Sequence, residues 1–240
     1  MKTKEALREE IWALMEKERV ALFPGAQGRI PNFVGAESCA RLLAESFLWK
    51  RAKVIKVNPD SPQRAIRRMA LEQSKILYMA VPRLRSPKPF IELNPKRLKA
   101  SAYGASSIKG AATYGRPASL DEMEKIDLIV CGSVAVNRRG ARVGKGGGYS
   151  DLEYALLRES GKVTPETPIV TSVHALQILD GELPMTEHDI PLNAIITPQE
   201  LIDIRPRYPK PKGIYWEILP PEKIDGIPVL KARKGTKRTR

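Results

Sequence analysis

The sequence contains only two cysteines and no long apolar run. Cys39 and Cys131 are too few to form a cysteine-based metal knuckle, and both lie among apolar residues, so we expect reduced, buried thiols. No stretch approaches the roughly 20 apolar residues that a membrane-spanning helix needs. The first residues also lack the apolar segment of a signal peptide. These absences predict a cytoplasmic protein that does not enter a membrane.

Acidic residues are scarce relative to basic ones, since 27 acidic residues face 41 basic ones and the net charge is +14. An excess of this size is typical of proteins that bind nucleic acids or polyanionic small molecules. Six basic residues and no acidic one lie at residues 231–240, after a proline-rich basic cluster at residues 205–212. We therefore predict a main domain over residues 1–204, followed by a basic, proline-rich extension with a flexible tail over residues 205–240.

Short apolar segments alternate with segments of helical periodicity through most of the chain. The predicted strands are residues 53–57, 75–81, 127–131, 134–136, 168–171 and 190–196, and the predicted helices are residues 2–19, 37–50, 63–73, 152–160 and 173–179. The stretch 82–117 is rich in proline and glycine and is predicted to be irregular. Strands separated by helices imply parallel pairing, with helices on both faces of the sheet. The predicted fold is therefore a three-layer α/β/α structure with a mostly parallel sheet.

A glycine-rich loop precedes the predicted helix 152–160 and reads Arg-Val-Gly-Lys-Gly-Gly-Gly-Tyr-Ser-Asp over residues 142–151. Its glycines are Gly144, Gly146, Gly147 and Gly148. Without Cβ atoms, such a backbone can approach a ligand closely and direct its N–H groups at an anion. Ser150 and Glu153 have the spacing of a capping box with Ser150 as N-cap. The loop would then lie at the positive end of a helix dipole, where phosphate is favoured.

The charged residues of this loop support a phosphate ligand and leave several alternatives. Arg142 and Lys145 add positive charge that suits phosphate oxygens. Phosphate would repel Asp151 unless a cation such as Mg²⁺ bridges them, although Asp151 could also be a helix-start carboxylate favoured by the dipole. The loop matches neither the P-loop nor the dinucleotide fingerprint. A flexible glycine turn and a phosphate site without catalysis are the remaining alternatives.

Residues 126–151 are similar to the signature of the 5-formyltetrahydrofolate cyclo-ligases, a family also called methenyltetrahydrofolate synthetases. That signature is an apolar strand followed by a glycine-rich loop that ends in tyrosine and aspartate. Lys4 and Arg8 resemble the basic pair on the family's first helix, and residues 184–189 resemble its C-terminal acidic motif. The resemblance runs from about residue 2 to residue 200. The part of the family that the sequence resembles most is a divergent branch found in archaea and in methenyltetrahydrofolate synthetase domain-containing proteins.

The resemblance implies a three-layer α/β fold and an ATP-dependent ring closure that needs Mg²⁺. In that reaction the formyl oxygen on N5 of 5-formyltetrahydrofolate attacks the γ-phosphate of ATP. N10 then attacks the phosphorylated intermediate, and phosphate leaves to give 5,10-methenyltetrahydrofolate. Phosphoryl transfer of this kind depends on positioning and charge neutralisation more than on a covalent nucleophile.

The resemblance also implies roles for individual residues. Phosphate charge would be neutralised by Lys4, Arg8, Arg142 and Lys145, of which Arg142 and Lys145 are the expected catalytic residues. Backbone contacts to the nucleotide would come from Gly144, Gly146, Gly147 and Gly148. Tyr149 would line the junction between nucleotide and pterin, and Asp151 and Asp189 would hold Mg²⁺.

The sequence departs from the family pattern at three places. Ser150 stands where a second aromatic residue is common, and Asn137 stands where an aspartate often precedes the loop. The acidic residue that contacts folate falls near Pro62, with Asp60 as the nearby carboxylate. The residues expected to bind ATP therefore match the family pattern better than those expected to bind the substrate. The expected substrate is a folate or related formyl-pterin.

A catalytically degenerate ligase fold that binds RNA through the basic extension is the alternative from a different class of function. Nucleic-acid binding by the tail alone would be nonspecific and sensitive to salt. The sequence lacks the interleaved aromatic residues on which single-stranded nucleic acids usually stack. The ligase interpretation is therefore favoured.

Overall fold

The computed structural model describes residues 2–237. Its α-helices are α1 (Lys4–Lys17), α2 (Ala36–Glu45), α3 (Phe47–Arg51), α4 (Arg64–Glu72), α5 (Ala102–Ala105), α6 (Ile108–Tyr114), α7 (Tyr149–Glu159), α8 (Pro221–Asp225) and α9 (Pro228–Lys237). Its strands are β1 (Val54–Val57), β2 (Ile76–Ala80), β3 (Phe90–Leu93), β4 (Arg116–Ala118), β5 (Leu128–Cys131), β6 (Ala135–Val136), β7 (Arg142–Val143), β8 (Ile169–Ser172), β9 (Ala194–Ile196) and β10 (Leu201–Asp203). Arg238 and Arg240 of the predicted basic tail lie outside the described residues.

The large sheet has the strand order β10-β9-β8-β5-β1-β2-β3-β4. The five central strands, β9, β8, β5, β1 and β2, run parallel to one another. The edge strands β10, β3 and β4 each pair antiparallel with their neighbours. Strands β6 and β7 form a separate antiparallel pair that leads into the glycine-rich loop. The prediction of a mostly parallel sheet is confirmed.

Alternate residues of each central strand face two different hydrophobic cores. Leu128 and Val130 of β5 pack in one core with residues of α1, α2 and α4. Ile129 and Cys131 of the same strand pack in the other core with residues of α7 and α9. Because successive side chains of a strand point to opposite faces, the sheet lies between two helical layers. This arrangement confirms the three-layer α/β/α fold.

Two of the predicted helices are interrupted or shortened in the structure. The helix predicted at residues 37–50 is interrupted at Ser46, whose backbone is extended and whose hydroxyl accepts a hydrogen bond from the Trp49 N–H. The helix predicted at residues 173–179 is only a short 3₁₀ turn at Ala175–Gln177. There the Gln177 side chain turns inward and donates to the Ser133 and Val134 carbonyls.

The prediction of an irregular stretch at residues 82–117 is wrong in part, because β3, α5, α6 and β4 lie there. Within the described residues, the C-terminal extension carries the two helices α8 and α9. Ile224 of α8, Leu230 of α9 and Ile227 between the two helices are buried in the second core. Burial of these apolar side chains stabilises the ordered state.

None of the helices between residues 2 and 237 combines the length and the apolar character that a membrane-spanning segment requires.

Candidate active site at the glycine loop

The glycine-rich loop connects β7 to α7 and ends at Gly148, the N-cap of α7. Gly146 and Gly148 have φ angles of +105° and +63°, in the region that residues with a side chain rarely adopt. The loop therefore lies at the N-terminus of an 11-residue helix, as the sequence predicted. Backbone N–H groups at such a terminus have no partner within the helix and favour an anion.

The predicted capping box at Ser150 and Glu153 is wrong. Helix α7 begins at Tyr149, and Gly148 supplies no side chain to cap it. The Ser150 hydroxyl instead accepts a hydrogen bond of 2.6 Å from the Asn58 side-chain amide. Glu153 pairs with Lys56, so both side chains bind buried groups at the end of β1 rather than the helix backbone.

The basic pair of α1 lies against the loop. Arg8 Nε donates to the Gly144 carbonyl at 2.7 Å, and a Cβ at Gly146 would lie 3.4 Å from Arg8 Cζ. Lys4 Nζ donates to Asp189 Oδ2 at 2.5 Å. Residues that are far apart in sequence are thus brought together, since Arg8 contacts the loop and Lys4 contacts Asp189, one of the predicted metal ligands.

Arg142 and Asp151 form a buried ion pair directly under the loop. Arg142 Nη2 donates to Asp151 Oδ1 at 2.6 Å, and Arg142 Nη1 donates to the Gly132 carbonyl at 3.0 Å. The Arg142 side chain is only 3% exposed. Burial would lower the pKa of Arg142, but the Asp151 carboxylate more than offsets this and raises the pKa above its usual value. Arg142 is therefore positively charged and held in place before any ligand binds.

Asp151 remains ionised for the same reason. Burial would raise the pKa of Asp151, but the Arg142 guanidinium and the Ile190 N–H together lower it below its usual value. The Ile190 N–H donates to Asp151 Oδ1 at 3.1 Å. Because Ile190 follows Asp189 in the chain, this hydrogen bond joins the Asp151 carboxylate to the backbone next to Asp189, the other predicted metal ligand.

The donor set fits a magnesium ion that is completed by phosphate oxygens. Among the described residues, the hydrogen bonds to Asp151 reach Oδ1, and those to Asp189, from Lys4 and from the Thr186 N–H and hydroxyl, reach Oδ2. Each carboxylate thus has its other oxygen available. No group of three or more possible metal-ligating side chains is found within residues 2–237. Mg²⁺ commonly binds through one or two carboxylates plus water and substrate phosphates.

Two cavities meet at the start of α7, and Gly148 and Asp151 line both. The first, here called the β1 cavity, has a volume of about 580 Å³ and is lined in part by Asn58, Asp60 and Arg83. The second, here called the α8 cavity, has a volume of about 450 Å³. It is lined in part by Leu152, Ala155, Tyr215, Ile218 and Lys223. A ligand seated on the loop can therefore extend in two directions.

Lys145 and Asp60 face each other across the mouth of the β1 cavity. The distance between Lys145 Nζ and Asp60 Oδ1 is 3.6 Å, and the lysine side chain is half exposed. Tyr149 lines the same cavity, where it joins the loop. The two predicted loop cations therefore differ in accessibility, since Arg142 is buried under the loop and Lys145 is exposed on it.

The structure also reveals polar residues that sequence reasoning missed. Lys56 is buried near the end of β1 and donates to both Asn58 and Glu153. A lysine within the otherwise apolar sequence of β1 was the available signal. Lys223 of α8 reaches the loop from the C-terminal extension, and no local pattern in the sequence distinguishes it from the other lysines of that segment.

The fold and this site together define an α/β protein with a glycine-rich loop at a helix N-terminus. A model of the 5-formyltetrahydrofolate cyclo-ligase family matches residues 1–198. The chain belongs to this family, which confirms the resemblance seen in the sequence.

Two similar proteins are the methenyltetrahydrofolate synthase domain-containing proteins of Bos taurus and Homo sapiens. They are 39% and 37% identical to this chain over 234 and 237 residues, which is 96% and 97% of this chain. The aligned parts are 61% and 62% of those proteins, so the chain spans about three fifths of the length of the curated relatives it matches.

A solved structure supports the fold. The NMR structure of a 5,10-methenyltetrahydrofolate synthetase from Aquifex aeolicus aligns with a TM-score of 0.53 and 19% sequence identity. The alignment covers 84% of this chain and 93% of that one.

Proposed function

We propose that this chain catalyses the ATP- and Mg²⁺-dependent cyclisation of 5-formyltetrahydrofolate, or of a related formyl-pterin, to the 5,10-methenyl compound. ADP and phosphate are the other products. Membership of the cyclo-ligase family supports this reaction. The observation that carries the proposal is the meeting of two cavities at the glycine loop, where Gly148 and Asp151 line both. A triphosphate bound to the loop would place its terminal phosphate between a nucleotide side and a substrate side.

The β1 cavity is the better site for the pterin because it offers several polar side chains beside the loop. Asp60 supplies a carboxylate that can accept hydrogen bonds, and Tyr149 supplies a ring at the junction with the loop. Asp60 is the carboxylate near the position where folate-contacting acids are expected, and its side chain is 14% exposed. Recognition of a pterin by a few well-placed polar groups in a concave site is typical of small-molecule sites.

The residues around the loop suit the charge changes of the proposed reaction. The formyl oxygen attacks the γ-phosphorus, and the bond from that phosphorus to ADP breaks. N10 then attacks the formyl carbon and loses its proton, and the carbon–oxygen bond breaks as phosphate leaves. Arg8 and Lys145 would hold phosphate oxygens through side-chain cations, while Gly146 and Gly147 present backbone N–H groups.

Asp151 and Asp189 are the residues that would hold Mg²⁺, which supplies positive charge to the phosphate oxygens when bound. The buried Arg142 keeps Asp151 ionised and fixed, so we infer that its contribution is to position the carboxylate.

A steady-state assay tests the proposed function. Purified protein incubated with 5-formyltetrahydrofolate, ATP and Mg²⁺ should form the methenyl product, detected as new near-ultraviolet absorbance, with one ADP released per product. Omission of ATP, or chelation of Mg²⁺ with EDTA, should abolish the signal.

If neither product formation nor ATP binding is detected, while RNA binds tightly and survives moderate salt, the ligase proposal is wrong. The degenerate, RNA-binding alternative would then be preferred.

A further inference from the structure

Residues that follow the family match build one wall of the α8 cavity. The family model ends at residue 198, whereas the cavity is lined by residues 213–215 and 217–220 and by Lys223 of α8. The opposite wall is the first part of α7, including Gly148 and Leu152. The C-terminal extension therefore covers one side of the glycine loop.

Lys223 is the extension residue that contacts the loop itself. Its Nζ donates to the Gly147 carbonyl at 2.8 Å and lies 4.9 Å from the centroid of the Tyr149 ring. A Cβ placed on Gly148 would lie 3.2 Å from the same nitrogen. The Lys223 ammonium group is therefore at the N-terminus of α7, where an anion is favoured.

The surroundings of Lys223 leave its charge without a close counterion. Within residues 2–237, no carboxylate oxygen lies within 4.0 Å of its Nζ. Burial lowers the pKa of Lys223, although the negative charge of Asp151 opposes this. A lysine has three N–H donors, and Gly147 accepts from it, so further donors are available to a ligand. A partly desolvated cation in this setting is suited to bind phosphate.

The position of Lys223 is fixed by packing of the extension. Ile224, the next residue, is buried with Ile227 and Leu230 in the core that contains α7. Arg233 pairs with Glu159 at the end of α7 at 3.2 Å. These contacts hold α8 on α7, so the lysine is placed at the loop before ligand binds.

The α8 cavity has the size and lining of a site for a nucleoside. Its volume of about 450 Å³ falls within the usual range of small-molecule sites. The Tyr215 and His188 rings lie at its edge with centroids 6.4 Å apart, and Leu152, Ala155 and Ile218 supply apolar surface. The cavity is continuous with the loop at Gly148, so a base seated in it would be joined to phosphates on the loop.

We propose that the C-terminal extension forms the nucleotide-base side of the active site and that Lys223 is an additional phosphate-binding lysine. The adenosine of ATP occupies the α8 cavity against Tyr215 and Ile218, and the Lys223 ammonium contacts a phosphate on the loop. This inference rests on the proposed function. It adds a part of the chain that lies beyond the family match.

Binding measurements on the full chain test the inference with two variants and two probes. Lys223→Ala should weaken binding of MgATP and of inorganic tripolyphosphate by about tenfold or more, the scale for loss of a hydrogen bond to a charged group. Tyr215→Ala should weaken MgATP binding but leave tripolyphosphate binding unchanged, because tripolyphosphate has no base.

In turnover, Lys223→Ala should raise KM for ATP and leave KM for the formyl substrate unchanged. Lys223→Arg, which keeps the charge, should recover part of the affinity.

Lys231→Ala is the matched control, since Lys231 lies on the same extension, is 70% exposed and pairs with Asp225 at 4.0 Å. This variant should bind both probes as the wild type does. Thermal melting of each variant checks that α8 remains packed. If the wild type binds ATP and a folded Lys223→Ala binds it equally well, the inference is wrong while the proposed function stands. If the wild type binds no ATP, both are wrong.

Discussion

Replacement of Asp151 by asparagine should reduce turnover with ATP and 5-formyltetrahydrofolate by about a hundredfold or more, the scale for removal of one preorganised charged group. An asparagine oxygen can still accept the hydrogen bonds that Arg142 and the Ile190 N–H donate to Asp151. The variant loses the negative charge that we assign to Mg²⁺ binding. Initial rates measured over a range of Mg²⁺ concentrations should show a higher Mg²⁺ requirement as well as a lower maximum.

Asp203→Asn provides the control for this experiment, because Asp203 is exposed on the edge strand β10. It makes the same chemical change and should leave turnover unchanged. Since Asp151→Asn also leaves the buried Arg142 without its counterion, thermal melting should accompany the assay. Unchanged turnover and Mg²⁺ dependence in a folded Asp151→Asn protein would show that Asp151 serves only to neutralise Arg142.

Lys56→Met should lower the free energy of unfolding by about 3–5 kcal/mol, because it leaves the buried Glu153 carboxylate without its partner. Both side chains are nearly inaccessible, at 2% and 6% exposure. Burial raises the pKa of Glu153 even though Lys56 opposes the shift, so loss of the lysine favours a protonated, poorly satisfied carboxyl group. For a chain of this size, we expect Tm to fall by roughly 6–20 °C.

Two further variants separate burial from the ion pair itself. Lys2→Met removes a lysine from an exposed ion pair with Glu10, and it should barely change Tm. The double variant Lys56→Met/Glu153→Leu removes both charges and should recover most of the lost stability, as for other buried pairs replaced by apolar residues. A fall in Tm for Lys56→Met no larger than that for Lys2→Met would contradict this interpretation.

Local patterns were sufficient to predict the central sheet and the loop. Apolar segments such as β5 and β8 alternate with amphipathic helices, and this order specifies parallel pairing. The glycines of the loop remove the side chains that would prevent its positive φ angles, so the loop could be located without a structure. The spacing of Lys4 and Arg8 placed them on one helix face, but only the family resemblance linked that face to the loop.

The start of α7 could not be predicted because its determinants are distant in sequence. Ser150 and Glu153 have the spacing of a capping box, but their side chains bind Asn58 and Lys56 from β1. A local capping rule cannot include partners that the fold brings together. The same holds for Arg142, whose buried pairing with Asp151 depends on how β7 packs beneath the loop.

Strand β3 and the helices of the C-terminal extension were not predicted, for different reasons. Strand β3 lies in a proline-rich stretch, and its pairing with β2 depends on contacts such as that between Glu92 and Tyr78, which local sequence does not show. In the C-terminal extension a usable signal was present. Ile224, Ile227 and Leu230 recur at intervals of three residues, a spacing that indicates a buried helical face, but the many basic residues favoured a flexible tail.

An isotope measurement tests the proposed transfer of the formyl oxygen to phosphate most directly. When 5-formyltetrahydrofolate carrying ¹⁸O in its formyl group is converted with ATP and Mg²⁺, the released inorganic phosphate should contain the label, because the formyl oxygen leaves bound to phosphorus. Mass spectrometry of the phosphate gives the answer, and unlabelled substrate in ¹⁸O-water is the control. Unlabelled phosphate formed together with the methenyl product would contradict phosphorylation of the formyl oxygen.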